Sequence, residues 1–127
     1  RQISIILKVK AYMKAKEDNL QAAVVTYLKL EYKALYCASL GGQYQKYQSQ
    51  RLKAKRTGYV AGFPDLFIYE PRGGFNGLAI ELKVKGNYAS PKQKEWLVNL
   101  EDRGYSAWVC VGFDDAKEVI DNYFNLK

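Results

Sequence analysis

The sequence predicts an α/β fold in which a mixed β-sheet is flanked by helices. Three observations lead to this prediction. Residues 65–84 have the pattern of a β-hairpin, residues 90–104 that of a capped helix, and residues 106–124 that of a strand followed by an amphipathic helix. Because helices precede, separate and follow the strands, both faces of the sheet are expected to be covered.

The first helix is predicted from Glu17 to Tyr32, where apolar residues recur at three- and four-residue intervals. Glu17 and Gln21 fall on the apolar stripe of that helix rather than opposite it. Residues 1–10 alternate weakly and fit either a strand or the start of a helix. Residues 34–40 predict a short strand that ends at two glycines.

A basic segment and a hairpin follow. Residues 43–57 are polar and basic and predict a helix or an ordered loop. Proline cannot donate to the ladder of a central strand, so Pro64 places the start of the first hairpin strand at Asp65. Residues 71–77 are a glycine-rich turn, and residues 78–84 predict the second strand.

The second hairpin strand has two chemically different faces. Side chains alternate across a strand, so Glu81 and Lys83 share one face. The other face carries Ile80, Leu82 and Val84 and is wholly apolar. That apolar face is predicted to lie in the core, which leaves a carboxylate and an amine together on the first face.

The last third of the chain predicts a helix, a strand and a second helix. Ser90-Pro91 supplies a serine N-cap and a proline at the first helical position. Residues 106–112 predict a strand. Asp114 or Asp115 is expected to cap the last helix, whose apolar stripe lies within residues 116–124.

Length and charge narrow the class of protein. The 127 residues suffice for one core, and residues 1–127 are predicted to form a single domain. The net charge is 20 − 13 = +7 and the sequence pI is about 9.3, which favours a polyanionic partner such as nucleic acid. The alternative is a merely soluble basic protein.

The cysteines and the hydropathy pattern predict an intracellular protein. Cys37 and Cys110 lie in apolar runs and are expected to be buried reduced thiols, although a disulfide between them stays open. No apolar stretch approaches a membrane span, and no secretory signal is recognisable. The protein is therefore not expected to be secreted.

The chain contains no histidine, which excludes several catalytic classes. Serine and cysteine triads that use imidazole, two-histidine ribonucleases, histidine–metal nucleases and Cys2His2 zinc fingers all need that side chain. A catalyst in this chain must work with carboxylates, lysine, tyrosine and metal.

Asp65, Glu81 and Lys83 are residue types that suit metal-dependent phosphodiester hydrolysis. Carboxylate oxygens bind hard cations such as Mg²⁺ and Mn²⁺, and a nearby lysine can orient the attacking water or stabilise transition-state charge. The backbone carbonyl of Leu82 is a further candidate ligand. A lone Glu-x-Lys is more often a surface ion pair, and a lone turn aspartate a cap, so the combination carries the prediction.

Four segments together resemble the virus-type replication–repair nuclease domain, VRR-Nuc, a branch of the PD-(D/E)xK superfamily. They are Gly62–Leu66, Ile80–Lys83, Ser90–Trp96 and Gly104-Tyr105. The resemblance spans about residues 17–124. It implies a restriction-endonuclease-like α-β-β-β-α-β core and cleavage of DNA with Mg²⁺ or Mn²⁺.

The resemblance also implies a biological setting. Members of the family are associated with branched or flapped DNA, and stand-alone forms resemble dimeric Holliday-junction resolvases. A homodimer acting on branched DNA is the corresponding expectation, in the host cytoplasm for a phage or viral protein, or in a nucleus.

Carried over residue by residue, the family's D…E-x-K positions are Asp65, Glu81 and Lys83. Gln93 matches the family's glutamine in the following helix, whose implied role is to orient a metal-bound water or the scissile phosphate. The alternative for Gln93 is a helix-start glutamine that bonds backbone. Leu40 stands where the family often has asparagine, which puts a polar substrate contact there in doubt.

The family's helix-borne acidic residue corresponds to Glu17, in an E-x-x-x-Q pattern that Gln21 completes. Burying an unpaired carboxylate is costly, so a metal or a basic partner is expected beside it. The alternative is a first-turn carboxylate that complements the helix dipole. Glu31 falls near the same stripe and is the rival candidate.

Cations around the basic segment are predicted to bind the DNA backbone. No acid lies between Glu31 and Asp65, and affinity that depends on phosphates falls steeply with salt. The alternative is a solvated helix face, the commoner fate of such runs. The candidate DNA-binding residues are Lys46, Arg51, Lys53, Lys55, Arg56, Lys85 and Lys92.

The sequence therefore predicts a metal-dependent DNA endonuclease that is structure-selective, either Holliday-junction-resolvase-like or flap-type. A domain of this size has little room for reading bases, so shape and backbone recognition are favoured. One alternative is a non-catalytic nucleic-acid-binding module that retains the fold. Another is a nuclease with a restriction or exonuclease role.

Overall fold

The computed structural model describes residues 5–7, 20–39 and 47–127. Residues 5–7 are helical. The remaining elements are, in chain order, α1 (Leu20–Tyr32), β1 (Tyr36–Ala38), α2 (Gln48–Arg56), β2 (Leu66–Ile68), β3 (Leu78–Lys83), α3 (Pro91–Glu101), β4 (Ser106–Val111) and α4 (Phe113–Phe124). The predicted α/β architecture is confirmed.

The four strands form one mixed sheet in the order β1-β2-β3-β4. The pairs β1–β2 and β2–β3 are antiparallel, and β3–β4 is parallel. The predicted hairpin is the β2–β3 pair, with Asp65 immediately before β2. A parallel pair needs a crossover connection, and α3 supplies it between β3 and β4.

Both faces of the sheet are covered by helices. One face packs against α1 and α4 in the larger core, to which β3 contributes Ile80 and Leu82. The other face packs against α3, where Phe67, Ala79 and Leu100 form a smaller cluster. Glu81 and Lys83 belong to this second face, because side chains alternate along β3.

Two details of the apolar pattern differ from the prediction. Val84 was expected in the core with Ile80 and Leu82, but it is 48% exposed because β3 ends at Lys83 and the chain turns away from the sheet. Both cysteines are free. Cys110 is buried as predicted, whereas Cys37 is exposed because β1 is a three-residue strand at the sheet edge.

The predicted cap of the last helix is also wrong. Gly112, not an aspartate, occupies the N-cap position of α4, with a φ of 85° that favours glycine. Asp115 lies within the first turn, and its carboxylate accepts a hydrogen bond from the backbone N–H of Val111 at 2.8 Å. Asp114 lies in the same first turn, where acidic side chains complement the helix dipole.

The described helices include none with both the length and the apolar character that a membrane crossing requires.

Candidate active site

Asp65 is held against two neighbouring strands. Its backbone carbonyl accepts a hydrogen bond from Ser39 N–H at 2.8 Å, next to β1. Its side-chain Oδ2 accepts one from Leu82 N–H of β3, also at 2.8 Å. The preceding Pro64 is buried. These contacts fix the Asp65 carboxylate at the start of β2, where the sequence predicts it to meet β3.

Glu81 and Lys83 form a partly buried ion pair on the α3 face of β3. Lys83 Nζ lies 3.5 Å from Glu81 Oε2. The whole Glu81 residue is 2% exposed, whereas the Lys83 side chain is 19% exposed. The carboxylate is therefore set into the protein while the ammonium reaches the surface beside it.

The pKa of Glu81 reflects its surroundings. Burial raises the pKa, and hydrogen-bonding contact with Asp65 and the negative charge of Asp65 raise it further, to about 8. The Lys83 ammonium acts in the opposite direction and lowers it. Two carboxyls share a hydrogen bond only while one of them holds the proton, so the ionised pair needs a cation to offset its repulsion.

The oxygen atoms at this point fit a hard cation. Glu81 Oε1 is buried and accepts no hydrogen bond from any donor in the described part of the chain. The Lys83 carbonyl accepts from Gly112 N–H at 2.8 Å and so points to β4. Successive carbonyls along a strand alternate in direction, so the Leu82 carbonyl points to the opposite side, that of Asp65.

The described protein ligands for such a cation are few. Across residues 5–7, 20–39 and 47–127 there is no cluster of three or more histidine, cysteine, aspartate or glutamate side chains that could hold a metal. Two carboxylates, from Asp65 and Glu81, and the Leu82 carbonyl remain. That set suits Mg²⁺, which typically binds one or two carboxylates and keeps positions for water and phosphate oxygens.

The loop before Asp65 is packed tightly against α3. Gly62 has a φ of 93°, and a Cβ built on it would lie 2.8 Å from the backbone oxygen of Lys92. Trp96 Nε1 donates to the carbonyl of Ala61 at 3.2 Å. A closely packed glycine and a tryptophan hydrogen bond therefore hold the chain segment that leads into Asp65.

Replacing Gly62 with alanine is expected to destabilise the fold by about 2 kcal/mol or more and to reduce any cleavage activity, because the new Cβ meets backbone and the φ is unfavourable. Gly86→Ala is the matched control, since Gly86 has a φ of 94° and open space around the added Cβ. Urea denaturation measures the free energy of unfolding of both variants. Equal stabilities of the two variants would show that the contact with Lys92 does not matter.

Gln93 takes the backbone-bonding role that the sequence left as its alternative. Its side-chain Oε1 accepts from Ser90 N–H at 2.8 Å, and Gln93 N–H donates to Ser90 Oγ at 3.2 Å. This reciprocal pair is a capping box at the start of α3. The structure thus gives Gln93 a structural task, and its contact with water or phosphate stays a prediction.

The helix-borne acidic residue is a choice between Glu17 and Glu31. Glu17 lies outside the described residues. Glu31 lies in the last turn of α1, close in sequence to Leu35, whose N–H donates to the Glu70 carboxylate at 2.8 Å. Asp65 immediately precedes β2 and Glu70 follows it, five residues later, so the two are up to roughly 16 Å apart. The choice between Glu17 and Glu31 therefore stays a prediction.

The predicted DNA-binding cations differ in whether they line a groove between α2 and α3. Arg51, Lys55 and Lys92 line one groove between α2 and α3. Lys46 lies outside the described residues. The other predicted cations are exposed but do not line that groove, and they are Lys53, Arg56 and Lys85.

Three residues of the groove were not predicted from the sequence. Arg103, Tyr59 and Trp96 line it together with the predicted cations. A signal for two of them was present, because Lys92, Trp96 and Arg103 recur at helical spacing along α3 and its end. Tyr59 gave no such signal, since it lies in the loop after α2.

Comparison with known proteins agrees with the motif pattern. The model of the VRR-NUC domain family matches residues 7–114. A solved structure named "VRR_NUC domain protein" is 37% identical; the match covers 87% of this chain and 88% of the other, with a TM-score of 0.73. No curated protein is significantly similar to the sequence. The chain therefore belongs to the VRR-NUC family, a branch of the nuclease superfamily.

Proposed function

We propose that this chain is a divalent-metal-dependent DNA endonuclease that selects branched DNA by its shape. One observation carries the proposal: Asp65 Oδ2 accepts a hydrogen bond from Leu82 N–H, between Glu81 and Lys83 in β3, and Lys83 Nζ lies 3.5 Å from Glu81 Oε2. A carboxylate pair beside a partly exposed ammonium suits phosphodiester hydrolysis with a hard cation.

The cofactor in this proposal is Mg²⁺ or Mn²⁺, held by Asp65, Glu81 and the Leu82 carbonyl, with Glu17 as a further candidate. When bound, such an ion polarises the phosphate and makes water a stronger nucleophile near neutral pH. The unsatisfied Glu81 Oε1 supports this assignment, because a buried carboxylate oxygen without a donor is stabilised by a cation.

The side chains of the chain have distinct tasks in the proposal. Asp65 is oriented by its hydrogen bond to Leu82 N–H, which presents the carboxylate in a fixed position. Lys83, with its side chain 19% exposed, places a positive charge where the phosphate approaches. That charge stabilises the additional negative charge that develops on the phosphate in the transition state.

Recognition is proposed to depend on DNA shape and phosphates. The nine residues of α2 include four cations and no acid, and none of them is buried. Such a helix can neutralise phosphates but carries no sequence information by doing so. Cutting both strands of a symmetric four-way junction needs two active sites, which in this proposal belong to a two-fold homodimer.

Incubation of the protein with flap, nicked, linear and four-way DNA in Mg²⁺, Mn²⁺ or EDTA tests the function. Internal cuts near a branch, present with metal and absent in EDTA, are expected. Cutting of circular DNA separates an endonuclease from an exonuclease, which needs an end. Binding without cutting of any substrate in either metal would instead establish a non-catalytic module.

Removing three of the four positive charges of α2 is expected to weaken DNA binding. In the triple variant, glutamine replaces Lys53, Lys55 and Arg56. Loss of up to three phosphate contacts should reduce the slope of log affinity against log salt by up to about 2.7. Fluorescence anisotropy between low and high salt measures it.

The matched control for that variant removes the same number of charges elsewhere. The residues replaced by glutamine are Lys29, Lys33 and Lys127. These three are exposed and lie outside α2. An equal loss of affinity and slope in the two triple variants would mean that net charge, rather than the position of α2, governs binding.

A further inference from the structure

The groove between α2 and α3 is large and strongly cationic on its walls. Its volume is about 940 Å³, at the upper end of the range of small-ligand sites. Arg51 and Lys55 line it from α2, and Lys92 and Arg103 line it from α3 and the turn after it. Among the described residues that line it, Glu95 is the only acid. An anionic ligand is therefore favoured.

Aromatic side chains also line this groove. Tyr59 and Trp96 are both half-buried and line it together with apolar residues. The Trp96 ring is fixed by its hydrogen bond to Ala61 and by an edge contact with Phe63, at 5.1 Å between ring centroids. A fixed aromatic ring in a cationic groove favours a ligand that is both anionic and planar.

A double helix cannot present both phosphates and an accessible base face to this groove. Its phosphates are exposed, but its bases are paired and stacked inside the duplex, where an aromatic side chain in a groove does not reach them. Unpaired nucleotides present a base face for stacking and a phosphate on each side of it. The chemistry of the groove therefore matches single-stranded nucleic acid.

We propose that the groove between α2 and α3 binds an unpaired segment of a nucleic-acid substrate. A base stacks on Trp96, and the flanking phosphates contact Arg51, Lys55, Lys92 and Arg103. This assignment rests on the proposed function, since it supplies the site by which a nuclease distinguishes a branched or flapped strand from plain duplex.

The groove lies close to the candidate active site along the chain. Ala61, whose carbonyl holds Trp96, is four residues before Asp65, a span of at most about 14 Å. Gly62 packs directly on the backbone of Lys92, so the loop and the groove wall form one unit. A strand held in the groove therefore approaches Asp65 within a few nucleotides.

The two tryptophans of the chain allow a direct test. Trp108→Phe leaves Trp96 as the single indole, and Trp96→Phe leaves Trp108, which lies on β4, bonds Ser106 Oγ and does not line the groove. In EDTA, single-stranded oligothymidylate is expected to quench the fluorescence of Trp108→Phe in a saturable way. It should leave the fluorescence of Trp96→Phe nearly unchanged.

The role of the bases and of the groove cations is tested separately. An abasic oligonucleotide of equal length carries the same phosphates and is expected to quench Trp96 little. Lys55→Ala should weaken binding of oligothymidylate roughly fivefold to tenfold. Lys33→Ala should have less effect, since Lys33 is exposed, lies outside α2 and does not line the groove.

Each outcome decides the proposal. Absence of quenching in Trp108→Phe, equal quenching in Trp96→Phe, or equal quenching by abasic DNA would overturn it. Cleavage of DNA without quenching of Trp96 removes the groove assignment and keeps the nuclease. Quenching without cleavage in any metal keeps the groove and removes the catalytic function.

Discussion

Replacing Asp65, Glu81 or Lys83 with alanine is expected to reduce DNA cleavage by roughly a thousandfold or more while leaving DNA binding nearly unchanged. In the proposed mechanism, Asp65 and Glu81 would supply the carboxylate oxygens for the divalent ion, so loss of either would remove the means of activating water. Lys83 would stabilise charge that appears in the transition state, so its loss is expected to lower kcat more than affinity. Binding should persist because the cations of α2 and α3 are separate from this set.

Isosteric variants and remote controls separate chemistry from folding. Asp65→Asn keeps an oxygen that can accept from Leu82 N–H but removes the charge, so it should fold and remain inactive. Glu118→Gln and Lys127→Ala remove exposed charges far along the chain from the site and should cleave normally. Cleavage is measured on branched DNA with Mn²⁺, and binding by anisotropy in EDTA. Wild-type cutting by any of the three alanine variants would end the site assignment.

Glu81→Gln is expected to stabilise the protein at alkaline pH while it abolishes cleavage. The pKa of Glu81 is raised from its ordinary value of 4.5 to about 8 by burial first and then by Asp65. The folded state therefore binds the proton more tightly than the unfolded state. Between about pH 4.5 and 8 the unfolded chain loses this proton first, so the Glu81 carboxyl reduces stability as pH rises through that window.

Glutamine has the shape of the protonated acid and does not ionise, so the Glu81→Gln variant avoids this loss. Its free energy of unfolding should exceed that of the wild type by on the order of a few kcal/mol above pH 8, and by little near pH 4. Urea denaturation in EDTA across this range measures the difference. For Glu118→Gln, at an exposed position, the difference in free energy of unfolding from the wild type should not change with pH in this way. A variant less stable than the wild type at pH 9 would contradict the assigned environment of Glu81.

Metal provides an independent check on the same variant. An ion that binds only the folded state adds stability that grows with its concentration. Mn²⁺ is therefore expected to raise the Tm of the wild type at pH 8. In this prediction the ion takes the place of the proton that Asp65 and Glu81 share. The same addition should leave the Tm of Glu81→Gln unchanged. Equal shifts in both proteins would place the ion elsewhere.

Local chemistry determined much of the fold. Pro64 and the glycine-rich turn mark the ends of the hairpin, and Ser90-Pro91 marks the start of α3, because proline and N-cap residues restrict the backbone wherever they occur. Val84 was misplaced for a related reason. Alternation shows which face a strand residue takes, but it does not show where the strand ends, and β3 ends one residue earlier.

The groove and the assignment of Gln93 depended on distances between segments far apart in sequence. Tyr59 gave no signal in the sequence, because the surface that it shares with Arg103 exists only after α2 packs near α3. The side-chain amide of Gln93 had two candidate partners, backbone and substrate. At the start of α3, Ser90 N lies 2.8 Å from Gln93 Oε1, so the backbone is the partner in the structure.

The sequence by itself determined the residue types of the site and the strand face that Glu81 and Lys83 share, because the two-residue period of a strand is a property of the backbone. The tertiary structure alone decided that Asp65 bonds Leu82 N–H, that Glu81 is 2% exposed and that its pKa is raised. Burial and proximity come from packing α3 on the sheet, and no local pattern specifies them.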